Sequence, residues 1–210
     1  MPKTEVFEKN VARYENWFKR YRAVYESELL ALKKMMPGGG GVEIGVGTGR
    51  FASPLGIWYG VEPSMEMGKI ATERGISVIS GVAEKLPLRS SFFDVVTMIV
   101  TLCFLDDIHT SFQEAYRVLK PSGHFLLGII DKESLLGKIY QKSSSPFYRE
   151  ATLYSPDEMI ALLENSGFAR VTCVQTLFHD LDDITRPELV KEGYGRGSFV
   201  AIKAMKVEGS

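Results

Sequence analysis

Cysteine, histidine, surplus charge and long apolar runs are all scarce in this chain, and each shortage removes a class of function. Only two of its 210 residues are cysteines, Cys103 and Cys173, and both lie in apolar runs. Two such residues make no disulfide framework and read as buried reduced thiols. The three histidines, His109, His124 and His179, stand far apart without the local pairing of a zinc site, so no metal is expected. Lys and Arg number 25 against 26 Asp and Glu, a formal net charge of −1. Nucleic-acid binders usually carry a basic face or a high pI, so no nucleic-acid partner is expected. No run approaches the ~20 apolar residues of a membrane span. Met1-Pro-Lys-Thr-Glu-Val6 lacks the apolar core of a signal peptide. The cytoplasm is therefore the expected compartment, with no membrane partner.

What remains is a globular composition, 45% hydrophobic and 24% charged, in a length that suits one well-buried core. Apolar and aromatic residues recur at helical spacing over residues 4–36, including Tyr14, Trp17, Phe18, Tyr21, Val24 and Tyr25. Pro37 and the Gly38–Gly41 run end that region. Strands and helices then alternate. Strands are predicted at 42–44, 57–61, 77–80, 94–100, 124–130, 168–178 and 198–207. Helices are predicted at 50–55, 64–74, 108–119 and 155–165. The last of these begins Ser155-Pro-Asp-Glu158, a capping-box pattern with proline at the first helical position. Residues 131–153 and 179–197 read as irregular connections. Such alternation predicts a mainly parallel sheet covered by helices on both faces.

Residues 42–51 carry the most information: Val-Glu-Ile-Gly-Val-Gly-Thr-Gly-Arg-Phe, directly after the glycine run. Gly45, Gly47 and Gly49 remove side chains where a strand turns into a helix, so that a ligand can approach backbone N–H groups. Glu62 ends the next apolar run, where a carboxylate can accept both hydroxyls of a ribose. A dinucleotide fingerprint would place its third glycine where Arg50 stands. Glu43 would also repel a pyrophosphate but attract an ammonium group. A ligand with a ribose, an amino acid end and no phosphate satisfies both points, and S-adenosylmethionine is such a ligand.

With these residues in view, the chain resembles the class I S-adenosylmethionine-dependent methyltransferases, whose first motif is an acid followed by G-x-G-x-G. Further segments in the same order are similar to that family: Gly81-Val-Ala-Glu-Lys-Leu-Pro-Leu88, Ser91-Phe-Phe-Asp-Val-Val96, Arg117-Val-Leu-Lys-Pro-Ser-Gly123, and Tyr154 through Phe168. Ser122 replaces a more usual glycine. The branch resembled is the small-molecule one that includes quinone-biosynthesis methyltransferases. The resemblance implies a Rossmann-like α/β fold with a seven-stranded mixed sheet, its last strand antiparallel, helices on both faces and an N-terminal helical layer. One domain is expected over 1–210: a helical lid at 1–37, a cofactor-binding core at 38–130, and acceptor-side loops and terminal strands at 131–210.

The resemblance and the strand ends together nominate the site. Cofactor contacts are expected from Glu43, Gly45, Gly47, Gly49, Glu62, Pro63, Ser64 and Met65, with Met65 over one adenine face. Val82 stands where the family has an acid or amide for the adenine amino group. Either Ala83 and Glu84 take that task, or water does. A backbone carbonyl near Val100 or Thr101 is expected to receive the cofactor's ammonium group. Tyr14, Trp17, Phe104 and Tyr148 are expected to touch the substrate. His179 and Asp180, after the sixth strand, are the candidate catalytic pair. Thr101-Leu-Cys-Phe104 is not the N/D-P-P-Y/F signature of adenine or glutamine N-methylation. The expected partner is therefore a small-molecule acceptor, with a small amine favoured over phenol or quinol O- or C-methylation. A silent S-adenosylmethionine-binding protein and a nicotinamide-dependent oxidoreductase are the rivals from other classes.

Overall fold

The computed structural model describes residues 4–207; Met1, Pro2 and Lys3 of the stretch examined for a signal peptide lie outside the described residues. The N-terminal stripe forms three helices, α1 (Glu5–Lys9), α2 (Val11–Arg20) and α3 (Arg22–Met35). They are separated at Asn10 and Tyr21, where the backbone leaves helical geometry. The alternating region gives β1 (Gly41–Ile44), β2 (Tyr59–Val61), α4 (Met65–Glu73), β3 (Ser77–Ile79), β4 (Phe93–Ile99), α5 (Ile108–Val118) and β5 (Leu119–Ile130). After these come α6 (Leu135–Gln141), α7 (Pro146–Arg149), α8 (Pro156–Asn165), β6 (Phe168–Thr176), β7 (Lys191–Glu192) and β8 (Phe199–Lys206).

The strands form one sheet in the order β3-β2-β1-β4-β5-β8-β6-β7. Strands β1 to β5 pair in parallel, and β8 runs antiparallel between β5 and β6. The sheet has eight strands where seven were predicted. The extra one, β7, is a two-residue antiparallel ribbon on the edge of β6, too short to leave a period in the sequence. The chain leaves β1 toward β2 and β3, then returns to β4. That reversal puts a crevice at the carboxyl ends of β1 and β4, the usual ligand position in open α/β sheets.

Side chains alternate across β5: Phe125, Leu127 and Ile129 join one core layer with α5 and α8. Leu126 and Ile130 join the other, with Phe18, Val24, Leu32 and Met35 of the N-terminal helices. The helical layer is thus part of the fold's interior. Among the described residues no helix is long and apolar enough to cross a membrane.

Three local expectations change. The helix predicted at 50–55 is only a 3-10 turn, Ser53–Leu55, because Pro54 has no N–H to donate and Gly56 ends it at φ 72°. The stretch 131–153 holds α6 and α7. Ser134 caps α6 by accepting the Gly137 N–H at 3.0 Å. Ser122 takes φ 60° in the turn within β5, the left-handed conformation that a glycine adopts more easily. The capping box of α8 is present with both of its bonds.

Candidate active site

A cavity of about 920 Å³ opens over the carboxyl ends of the strands. Its volume lies at the upper end of the roughly 300–1,000 Å³ typical of small-ligand sites. Gly45, Glu62 and Pro63 line it from the first two strand ends. Gly81 to Glu84 line it after β3, and Val100, Thr101 and Phe104 after β4.

The glycine loop turns at φ 70°, 55° and 77° for Gly45, Gly47 and Gly49, but the three residues do different work. At Gly45 a Cβ would stand 2.3 Å from the Thr101 methyl, so only glycine fits beside the β4 loop. Gly47 donates its N–H to Glu62 Oε2 at 2.8 Å. Gly49 faces Ala71 and Ile76 at 3.2–3.4 Å, so its missing side chain serves close packing against α4 rather than ligand approach. Glu62 Oε1 accepts the Ser64 N–H at 2.8 Å. Each carboxylate oxygen thus holds one backbone amide and keeps capacity for another donor. Burial pushes the Glu62 carboxyl up, against the pull of those two bonds.

Several nominated residues sit elsewhere. Glu43 is buried under the loop, outside the cavity lining, with Oε2 unpartnered among the described residues. Burial, then the charge of Glu62, pushes its carboxyl well up. Ser64 caps α4 through the Met67 N–H at 3.3 Å. Met65 is 70% exposed and is not part of the cavity lining; Met67, on the buried side of α4, lines the cavity instead. Glu84 is engaged with the Asp106 and Asp107 N–H groups at 3.0 and 3.3 Å, so its side chain ties two loops together. Asp106 itself lines the cavity. Val100 holds φ 53°, a strained value for a β-branched residue, at the point where β4 meets the cavity.

The N-terminal helices roof the cavity. Tyr14, Trp17, Phe104 and Tyr148, the expected substrate contacts, all line it, joined by Phe7, Tyr21, Tyr140 and Phe147. Phe7 meets Phe104 edge-on at 4.9 Å and Phe147 at 5.4 Å, so α1 closes against the β4 loop and α7. Glu8 accepts the Met65 N–H at 2.6 Å, capping α4 from α1. Glu15 of α2 binds Thr48 at 2.6 Å, and it also bonds Arg50 and Arg74.

After β6 the candidate pair separates. Asp180 lines the cavity, with Asp182 and Asp183. His179 does not: it is exposed and paired through Nδ1 with Glu188. The strand ends at Thr176, two residues earlier than predicted, and Leu177 turns at φ 64°, which carries His179 away from the crevice. Sequence reading missed Glu28, a buried acid of α3 that lines the cavity. Its signal was its place in the apolar helix face Val24, Glu28, Leu32, Met35.

The comparisons with known proteins agree on the family. Residues 42–127 match a methyltransferase domain model. An uncharacterised protein of Methanocaldococcus jannaschii is 45% identical over 96% of this chain and 99% of its own length. A crystal structure of an S-adenosylmethionine-dependent methyltransferase from Thermotoga maritima is 48% identical, covers 96% of this chain and 98% of its own, and superposes with a TM-score of 0.94. This chain is a class I S-adenosylmethionine-dependent methyltransferase. More distant is a mitochondrial 2-methoxy-6-polyprenyl-1,4-benzoquinol methylase of Xenopus laevis, 31% identical over 53% of this chain and 42% of its own.

The methyltransferase's residues fit its cofactor. Glu62 directly follows β2 with acceptor capacity free for ribose hydroxyls, and the cavity of about 920 Å³ leaves room for a nucleoside. When bound, S-adenosylmethionine supplies a methyl group already activated on a sulfonium. The protein's own task is then to orient the acceptor, exclude water and manage a proton.

Proposed function

We propose that this methyltransferase N-methylates a small amine. The observation that carries the reading is the acidic lining of the cavity: among the described residues seven carboxyl groups line it against two guanidinium groups and no lysine. Glu62, Glu84 and Asp106 belong to the cofactor side of the switch point. Glu28, Asp180, Asp182 and Asp183 belong to the side of α3 and β6. Arg20 reaches Asp182 at 3.8 Å, and Arg13 lies 6.0 Å over the Phe147 ring. Aromatic faces with carboxylates favour a small cation through cation–π and ionic contacts. The Thermotoga maritima structure is described as a possible histamine N-methyltransferase, which points the same way. On this reading residues 4–37 act as a lid over 38–130, and 131–207 supply the acceptor-side loops.

Labelled S-adenosylmethionine offered with small amines, phenols, carboxylates and quinols tests the reading. Amines should take the label. Transfer to phenols or quinols alone would overturn it, and transfer to none of a broad panel would favour a silent binding protein.

A further inference from the structure

Glu28 is 3% exposed, lies on the cavity wall, and receives no hydrogen bond or ion pair among the described residues. Its flanking acid-free face, Val24, Leu32 and Met35, is fully part of the core. The ionisable groups its charge reaches are phenols: Tyr14 of α2, Tyr25 of α3 itself, Tyr140 of α6 and Tyr148 of α7. Tyr140 and Tyr148 stack at 3.7 Å and 16°, a rigid aromatic wall beside it. Among the described residues no lysine, arginine or histidine pairs with it. Even in its protonated form a carboxyl buried this way is a polar group without a protein partner, and a leucine or methionine would pack there without that cost. Unlike Glu43, which is buried outside the cavity lining, Glu28 stands where a cation in the cavity could reach it.

We propose that Glu28 is the group that receives the acceptor amine, holding its ammonium form and then taking its proton. The proposal rests on the amine reading above. The step balances: the ammonium N–H bond breaks, its proton moves to a Glu28 oxygen, and the nitrogen keeps the electron pair. That pair forms the new N–CH3 bond as the S–CH3 bond breaks, and S-adenosylhomocysteine leaves. Glu28 returns its proton to solvent when the methylated amine departs. Burial alone holds the Glu28 carboxyl up at about 8, close to the working pH at which a general base is most effective. Asp180 is exposed at the rim, and His179 is outside the cavity, so neither has this setting.

Glu28→Gln and Glu28→Asp test the assignment. With the protein loaded with S-adenosylhomocysteine, calorimetry with phenethylamine, histamine and tyramine is compared against neutral 2-phenylethanol. The unmodified protein should prefer at least one of the amines. Glu28→Gln should lose that preference by about tenfold or more, the size of one charge-assisted hydrogen bond, with S-adenosylhomocysteine affinity unchanged. With an amine that turns over, kcat/KM should rise through about pH 8 in the unmodified enzyme and in Glu28→Asp, whose rate is lower, and lose that limb in Glu28→Gln. If Glu28→Gln keeps both the amine preference and the limb, the assignment is overturned while amine methylation stands. If no amine binds or reacts, the amine reading itself fails and takes the assignment with it. Should Glu28→Gln not bind S-adenosylhomocysteine, Glu28→Asp decides: a lower rate with the limb kept supports the proposal, and a rate equal to that of the unmodified enzyme overturns it.

Discussion

Replacing Glu62 by glutamine keeps the shape of the side chain and turns one acceptor oxygen into a donor. Both oxygens already accept a backbone amide, Gly47 on one and Ser64 on the other, each at 2.8 Å. Whichever way the new amide is oriented, its NH2 must face an N–H. One buried donor is left without an acceptor, at about 1–3 kcal/mol, and Glu62→Ala leaves two. Relief of the buried carboxyl, whose pKa burial pushes up, returns part of this. A net loss of about 1–4 kcal/mol is expected for either variant, within the roughly 5–15 kcal/mol of a folded domain. The fold should therefore persist. Cofactor affinity should fall as well, by about tenfold to a hundredfold, because ribose hydroxyls lose a charged acceptor. Urea unfolding of the free protein reads the first effect, and titration with S-adenosylhomocysteine reads the second. Unchanged stability would refute the loop geometry. Unchanged affinity would remove Glu62 from the cofactor site.

Glu28→Gln should also change the pH dependence of stability. A carboxyl raised from 4.5 to about 8 is protonated in the fold while the unfolded chain has already lost its proton. The penalty therefore grows as pH rises from 4.5 and is complete above 8, with a ceiling of about 5 kcal/mol at 1.4 kcal/mol per pH unit. The variant should match the unmodified protein near pH 4 and exceed it at pH 9; equal urea midpoints at pH 9 would contradict the burial. Gly45→Ala puts a Cβ 2.3 Å from the Thr101 methyl at φ 70° and should lower Tm by more than 5 °C, at about 4–8 °C per kcal/mol for a small domain and less here; a Tm within 1 °C would show that the loop relaxes freely. Deleting residues 1–9 removes Phe7 from the cavity wall and Glu8 from α4 while leaving Glu15 on the glycine loop. Acceptor turnover should fall at least about tenfold with S-adenosylhomocysteine binding retained, the loss of contacts made mainly to the acceptor side, and a normal rate would dismiss the lid. His179→Ala should leave kcat unchanged, since the ring faces Glu188 outside the cavity; a large loss would restore it to the site.

The glycine turn and the end of β2 were legible because their constraints are local. Glycines at alternate positions and an acid closing an apolar run report a turn and a strand end directly, and they stand just after β1 and β2. The separate duties of Gly47 and Gly49 were not legible, since they depend on how α4 lies against the loop. Met65 was a misreading that helix spacing could have prevented: Met67 and Ala71, four apart, define the buried side, and Met65 is off it. His179 failed for a different reason. The apolar run continues through Phe178, but the backbone turns at Leu177, and side-chain type carries no notice of that turn. The helices α6 and α7, seven and four residues long, are too short to display a helical period.

Glu15 joins three places that are distant along the chain: the α2 helix of the roof, Thr48 and Arg50 in the glycine loop, and Arg74 at the end of α4. Its carboxyl is drawn down to about 2, chiefly by the two guanidinium partners acting against burial, so the knot stays charged at any physiological pH. Raising the roof therefore means unfastening the loop beneath it. On the proposed lid reading, opening for the acceptor would also loosen the loop, and hydrogen exchange in α2 should slow whenever the nucleoside is in place. A single carboxylate thus ties the helical roof to the glycine loop and to α4.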